Sequence, residues 1–203
     1  MARPNNQAQR REEILSAAIG LIERHDLATL RIGDVAAELG LTANAVRYYF
    51  KDIEELLTAL VTRTEVRFYD RRLSMVESGG DACAQLAQVI ATGLPTGPDD
   101  AEWRAISRAV FAAGFELDQR HDVQVIFHRQ VSLYVRLLAG GVTAGVFTPV
   151  VSIEDIATTL MSLEDYVGYR IVARDPLMSR DLGLRLMRQY AELATGATLP
   201  PAG

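Results

Sequence analysis

The sequence predicts an all-α protein of about nine helices. Apolar residues recur at helical spacing along nearly all of its 203 residues, and no stretch alternates convincingly over five or more positions. Capping residues, glycines and prolines separate the apolar segments, as at helix ends. With 49% hydrophobic and 23% charged residues, the composition is that of a folded chain and excludes disorder and collagen-like repeats.

The first part of the chain predicts three short helices followed by a long one. Gly40 ends the second helix, and the Thr42 hydroxyl is placed to cap the third. Asp52 and Glu55 form an acidic variant of the capping box at the start of the fourth. The predicted helices cover residues 9–25, 32–39, 43–49 and 52–77.

The remainder predicts five more helices. Ser152 and Ser179 are placed as N-caps, and the Asp175–Pro176 pair separates the last two helices. The predicted helices cover residues 81–93, 99–117, 122–138, 152–174 and 179–194. The helix over 122–138 is expected to end gradually through Gly140, Gly141 and Gly145.

The charge is unevenly distributed. Residues 1–51 carry seven basic and six acidic side chains, whereas residues 52–203 carry fourteen and twenty. This shift predicts two domains, 1–51 and 52–203, with different tasks. Because the net charge is −5, a nucleic-acid-binding face has to be a local patch.

Several classes of site are not expected. Cys83 is the one cysteine, so neither an internal disulfide nor a multi-cysteine zinc site can form. Three dispersed histidines, without a glycine-rich phosphate loop or an H-E-x-x-H spacing, predict no catalytic residue, metal or cofactor. Charges interrupt every long apolar run and no secretion signal is evident, so we expect a cytoplasmic protein without a membrane span.

Residues 32–50 have the pattern of a helix-turn-helix. Ala36 is small where two crossed helices would approach most closely, and Gly40 falls in the turn. Asparagine can read adenine, arginine can read guanine or hold phosphate, and tyrosine can donate to phosphate. A solvated helical face with aromatic rings at its edge is the alternative. Apolar Val35, Leu39, Leu41 and Val46 would form the shared core, and Ala43, Asn44, Arg47, Tyr48 and Tyr49 would project outwards.

The segment RREEILSAAIGLIERHDLATLRIGDVAAELGLTANAVRYYFKDIEELLTAL resembles the DNA-binding domain of the tetracycline-repressor (TetR) family. The similarity covers about fifty consecutive residues, and VRYYFKDIEELL is its most specific part. The resemblance implies a homodimeric bacterial repressor with an N-terminal helix-turn-helix domain. It further implies a larger helical domain that dimerises and binds a small-molecule effector, which releases the double-stranded DNA operator.

The resemblance also implies the DNA-contacting residues. Ile53 departs from the family, which usually has a phosphate-binding lysine there, and Lys51 could take that phosphate. The first eight residues are expected to be a disordered tail, with a minor-groove arm of Arg3, Arg10 and Arg11 as the alternative. The implied DNA-binding residues are Arg31, Thr42, Ala43, Asn44, Arg47, Tyr48, Tyr49 and Lys51.

For the larger domain, the resemblance implies dimerisation through the last two long helices. It also places an effector pocket among large side chains, for each of which ordinary core packing is the default interpretation. Glu164, Asp165 and His128 are polar candidates, and an acidic pair on a largely apolar helix could bind a cation or be salt-bridged. The implied ligand-binding residues are Phe68, Trp103, Phe111, Phe115, Phe127, Tyr134, Met161, Asp165 and Tyr169.

Other functions remain open on the sequence alone. A DNA-binding regulator could respond to a protein partner instead of a small molecule, or could activate transcription. A helical ligand-binding protein or an enzyme would belong to another class; ligand binding without turnover would separate the first from the second.

Overall fold

A computed structural model describes residues 3–24, 29–112 and 121–201, with side chains described for 7–22, 24, 29–107 and 124–201. Within these ranges the secondary structure is entirely helical, which confirms the predicted fold class. The nine helices are α1 (Arg3–Arg24), α2 (Ile32–Glu38), α3 (Ala43–Arg47), α4 (Ile53–Glu77), α5 (Ala82–Gly93), α6 (Ala101–Ala112), α7 (His121–Thr143), α8 (Ile153–Val172) and α9 (Arg180–Thr195).

The chain forms two compact units. The first comprises residues 1–64 and 99–114, and the second comprises residues 65–98 and 115–203. Helix α4 contributes its first half to one unit and its second half to the other. These units do not follow the division predicted at residue 52, which concerned function and stays a prediction.

Helix α6 packs with the N-terminal helices, although the sequence assigned it to the larger domain. Ala101 and Ala105 are buried in the same apolar cluster as Ile14 and Val35. The Arg104 guanidinium donates a 2.6 Å hydrogen bond to the carbonyl oxygen of Ile22, near the end of α1. Small side chains on α6 permit this packing, and nothing in the local sequence distinguishes them from small residues in any other helix.

The second unit has its own core, to which the second half of α4, α5, α7, α8 and α9 contribute. Leu86, Tyr134, Ile156, Leu160 and Met187 are all fully buried in it. The predicted caps are present on the last two helices. The Ser152 hydroxyl accepts from the amide of Asp155 at 3.1 Å, and the Ser179 hydroxyl accepts from the amide of Leu182 at 3.1 Å.

Two helices are longer than predicted. Helix α1 begins at Arg3, so the expected tail is helical from there, while the predicted end at His25 lies outside the described residues. Helix α7 continues through Gly140 and Gly141 to Thr143. Gly141 is buried, and a Cβ atom on it would collide with the ring of Phe147, so this glycine permits close packing and does not end the helix.

Two further features are missing from the described part of the chain. No helix there is both long and apolar enough to span a membrane. The same residues contain no group of three or more histidine, cysteine, aspartate or glutamate side chains placed to hold a metal ion.

Candidate functional site

Helices α2 and α3 form a helix-turn-helix whose turn is set by Gly40. Its φ of +64° is in the left-handed region that glycine adopts without strain. The amide of Leu41 donates to the carbonyl oxygen of Ala36 at 2.8 Å, and that of Gly40 donates to Ala37 at 3.1 Å. This is a Schellman motif, which satisfies the last carbonyls of α2 and turns the chain towards α3.

The two helices share the small core that the sequence predicted. Val35 and Val46 are fully inaccessible to solvent, and Ala36 is 2% exposed. The Thr42 hydroxyl accepts from the amide of Ala45 at 3.2 Å, so the predicted N-cap of α3 is confirmed. Phe50, just after α3, is also fully buried in this unit.

The predicted DNA-reading side chains lie on the opposite face. Asn44, Arg47 and Tyr48 are exposed, Thr42 is exposed beside them, and Ala43 and Tyr49 are half-buried. The Arg47 guanidinium donates to the amide oxygen of Asn44 at 3.3 Å, so these two side chains are oriented together. The exposed face therefore carries a guanidinium and a carboxamide, the side-chain groups that can read guanine and adenine.

The flanking cations are also exposed. Arg31 occupies the N-cap position of α2, where its backbone amide donates to the Asp34 carboxylate at 2.8 Å. The Lys51 ammonium has no hydrogen bond or ion pair among the side chains that the structure describes, and it remains available to a phosphate. Ile53, where the resemblance led us to expect lysine, is the first residue of α4 and packs half-buried on the core.

Helix α1 contributes two contacts that the sequence analysis missed. Gln7 donates from its amide nitrogen to the Tyr48 hydroxyl oxygen at 3.1 Å, and Arg11 donates to the Tyr49 carbonyl oxygen at 2.7 Å. The Arg11 guanidinium also lies 4.2 Å from the centre of the Phe50 ring. The sequence suggested Arg11 only as part of an alternative minor-groove arm, and no local signal marks its contact with Tyr49 or that of Gln7 with Tyr48, since both span about forty positions.

The second unit contains a buried polar network centred on Arg72. Its guanidinium binds both carboxylate oxygens of Glu164, each at 2.8 Å, and donates to the Gln130 side chain at 2.8 Å. Tyr134 donates to Glu164 at 2.7 Å, and the ring of Phe68 lies 5.0 Å from the guanidinium carbon. The acidic residue considered as a cation ligand is therefore salt-bridged by the chain itself.

Burial and charge both act on this network. Burial lowers the pKa of Arg72, but the charges and hydrogen bonds of Glu164 and Tyr134 together more than offset it, so the pKa is raised and the guanidinium stays charged. Burial and the Glu164 charge hold the pKa of Tyr134 well above its usual range, so its hydroxyl keeps its proton. Gly93 makes the site possible, because a Cβ atom there would collide with the Glu164 carboxylate.

The structure brings together only part of the predicted effector site. Phe68 and Tyr134 meet around Arg72, but Tyr134 is fully buried and committed to Glu164. Trp103 belongs to the other compact unit, on α6. The remaining predictions stay untested: Met161 is buried on α8, Phe127 is half-buried, Tyr169 and Asp165 are solvent-accessible, and Phe111 and Phe115 lie outside the described side chains.

Asp165 differs from its neighbour Glu164. Its side chain is reached by solvent, yet the surrounding protein and the Glu164 charge raise the pKa of Asp165 to about 7. An approaching cation favours the ionised form of such a carboxyl group and lowers its pKa. Asp165 is accordingly the acidic side chain of this pair that a ligand could reach.

Comparison with known proteins supports the assignment of the first unit. Residues 14–60 match the family model described as bacterial regulatory proteins, tetR family. This segment is a tetR-family domain. The match begins at Ile14 in α1, includes α2 and α3, and ends at Leu60, about two turns into α4. No curated protein matches the sequence.

Solved structures extend the tetR-family similarity to the fold of almost the whole chain. A protein from Saccharomonospora viridis in complex with choline has 24% identity and a TM-score of 0.78, covering 91% of this chain and 96% of its own. A TetR transcription regulator from Haloarcula marismortui has 23% identity and a TM-score of 0.79, covering 93% and 99%. The regulator FadR from Bacillus subtilis in complex with stearoyl-CoA has 17% identity and a TM-score of 0.69, covering 91% and 98%.

Proposed function

We propose that the protein is a homodimeric transcriptional repressor that binds a pseudo-palindromic DNA operator and is released from it by a small-molecule effector. The single observation that carries the proposal is the exposed face of α3, with Asn44 and Arg47 turned away from a fully buried helix-turn-helix core. We place this activity in the cytoplasm, where a bacterial operator is found.

The proposed dimer forms through α8 and α9. Tyr166 on α8 is 56% exposed, and Leu186 and Leu193 on α9 are 41% and 78% exposed. Large apolar side chains exposed on both of the last two long helices suit a two-fold, self-complementary interface. Such a dimer would present its two recognition helices to successive major grooves, about one turn of DNA apart.

The effector is proposed to bind in the second unit. The similar structures contain choline in one case and stearoyl-CoA in another, so the fold alone does not select the chemistry of the ligand. In this chain Phe68, Tyr69 and Asp165 offer aromatic rings and an accessible carboxyl group within that unit. Choline and stearoyl-CoA are therefore the first two probes to test by thermal shift.

The proposed mechanism is a shift of population between two conformations. An effector that binds one conformation more tightly favours that conformation by the difference in binding free energy. Because α4 contributes to both compact units, its movement would change the position of the recognition helices. The two helices would then no longer match the spacing of the grooves.

A binding selection on genomic fragments tests the proposal. Purified protein is incubated with fragmented DNA, bound fragments are recovered over a range of salt concentrations, and the enriched sites are footprinted. We expect a protected pseudo-palindrome whose half-sites lie one helical turn apart. Absence of any enriched fragment at low salt, where phosphate contacts are strongest, would contradict it.

A further inference from the structure

We propose that Arg11 is a positioning residue for the recognition helix, and that sequence-specific operator binding depends on its hold on the end of α3. The inference rests on the proposed DNA-binding function and concerns a residue of α1 that lies beside α3 and that the sequence suggested only as part of an alternative minor-groove arm. Gln7, which lies one turn before Arg11 on α1, contacts the neighbouring residue Tyr48.

The first observation is the contact between Arg11 and the backbone after α3. Carbonyl groups at the end of a helix have no partner within the helix, and the negative end of the helix dipole lies there. The Arg11 guanidinium donates to the Tyr49 carbonyl oxygen at 2.7 Å. A charged donor at this position stabilises the end of α3 and ties it to α1.

The second observation is the anchoring ring beneath that contact. The guanidinium carbon of Arg11 lies 4.2 Å from the centre of the Phe50 ring, at the distance of a cation–π interaction. Phe50 is fully buried in the core of the unit. Arg11 therefore joins the end of the recognition helix to a side chain that does not move independently of the core.

The third observation concerns Tyr48. Gln7 donates to the Tyr48 hydroxyl oxygen at 3.1 Å, which leaves the hydroxyl hydrogen free to be donated elsewhere. The rings of Tyr48 and Tyr49 meet edge to face, with their centres 5.0 Å apart and their planes at 86°. The Tyr48 side chain is thus held by Gln7 at its hydroxyl oxygen and by the Tyr49 ring, and its hydroxyl hydrogen remains available to a phosphate oxygen.

These contacts matter because α3 is short. A helix of five residues cannot hold its own orientation through internal hydrogen bonds. Reading of base edges requires accurate placement of side chains, whereas non-specific binding depends mainly on the number of phosphates neutralised. Loss of Arg11 should therefore weaken specific binding much more than non-specific binding.

Arg10 supplies a matched control. It is the adjacent residue with the same charge, and its guanidinium forms an ion pair with Glu13 on its own helix. Arg11→Ala and Arg10→Ala are compared with the full-length protein on the selected operator and on unrelated DNA, across a salt series. We expect Arg11→Ala to lower operator affinity by about tenfold or more, the size of a lost base contact, and Arg10→Ala to lower it much less. An equal loss in both variants would favour the alternative minor-groove arm of Arg3, Arg10 and Arg11 and would overturn the proposal.

The salt series separates positioning from a direct phosphate contact. For Arg11→Ala we expect the slope of log K against log salt to stay at the wild-type value. A decrease of about 0.9 would mean that Arg11 itself neutralises a phosphate, and this would overturn the proposal. We expect Arg11→Lys, which retains the charge and a donor, to recover much of the operator affinity.

A readout without DNA keeps the inference testable if the protein proves not to bind an operator. The amides of Tyr48, Tyr49 and Phe50 donate to carbonyls of α3, and their hydrogen exchange reports opening of that end. We expect faster exchange in Arg11→Ala and wild-type exchange in Arg10→Ala. Equal exchange in both variants would overturn the role of Arg11, whereas failure of the wild-type protein to select DNA would overturn the proposed function alone.

Discussion

Arg72 on α4 and Glu164 on α8 form a bidentate ion pair, with both N–O distances at 2.8 Å, although 92 positions separate them in the chain. Both side chains are essentially inaccessible to solvent. Because a buried charge without its partner is costly, this pair constrains which arrangements of α4 and α8 the second unit can adopt. Tyr134 donates to the same carboxylate and adds α7 to the constraint.

We expect removal of either partner to destabilise the protein strongly. Arg72→Met and Glu164→Leu should each lower the free energy of unfolding by about 3–5 kcal/mol, since each leaves a buried charge unpaired. The double variant should recover much of that loss. Urea unfolding of all four proteins measures this double-mutant cycle, and single variants within about 0.5 kcal/mol of wild type would contradict it.

Gly93 is expected to be intolerant of a side chain. Gly93→Ala places a methyl group against the Glu164 carboxylate and should destabilise the protein by about 1–3 kcal/mol. Gly140 is the control, because it also lies in a helix but a Cβ atom on it would meet no neighbouring group within 4 Å. Gly140→Ala should raise stability by about 0.5–1 kcal/mol in the same thermal unfolding measurement.

Asp165 should make stability depend on pH. Its pKa of about 7 in the folded protein exceeds the usual value of about 3.9, so the folded state holds the proton more tightly. The contribution of the protonated Asp165 carboxyl group to the free energy of unfolding is therefore fully present below about pH 4 and is lost as the pH rises through 7. We expect the stability of Asp165→Asn relative to wild type to increase from pH 5 to pH 8. A difference in melting temperature between the two proteins that is the same at pH 5 and at pH 8 would contradict the assignment.

Arg47 is expected to contribute directly to operator recognition. Arg47→Ala should lower operator affinity by about 10- to 100-fold without changing dimerisation, because it removes a side chain that can read a base edge or hold a phosphate. Arg136→Ala, which removes an exposed arginine from α7 in the other unit and outside the proposed dimer interface, is the control. Unchanged affinity in a mobility-shift titration would remove Arg47 from the contact set.

The dimer interface is best tested on α9. Leu193→Glu places a charge on a side chain that is 78% exposed and should yield a folded monomer. Leu177→Glu is the control, since Leu177 is 77% exposed but lies between α8 and α9. Sedimentation should show a monomer for the first and a dimer for the second. A fully dimeric Leu193→Glu protein would place the interface elsewhere.

Leu160 is not a suitable position for that test. Its periodicity places it on an apolar face that could serve either a core or an interface, and the structure buries it completely. A charge there would disrupt packing of the second unit and could not report dimerisation separately. The periodicity of α8 indicates that several faces are apolar but cannot assign each face to a neighbour.

Local sequence patterns were sufficient to predict the helical segments, the caps of α3, α8 and α9 and the helix-turn-helix. These features depend on residues within a few positions of one another, as Thr42 shows by capping α3 and Gly40 by turning the chain after α2. Periodicity also identified Val35 and Val46 as the inner face of that motif.

The contacts between helices and the pairing of polar groups could be read only from the folded structure. The packing of α6 on α1, the contact of Arg11 with Tyr49 and the pairing of Arg72 with Glu164 each join positions far apart in the chain. An arginine that binds phosphate, one that holds a helix end and one that is buried in an ion pair have the same local sequence signal. The physical reason is that hydrogen bonding and burial depend on the neighbours supplied by folding, which local periodicity does not specify.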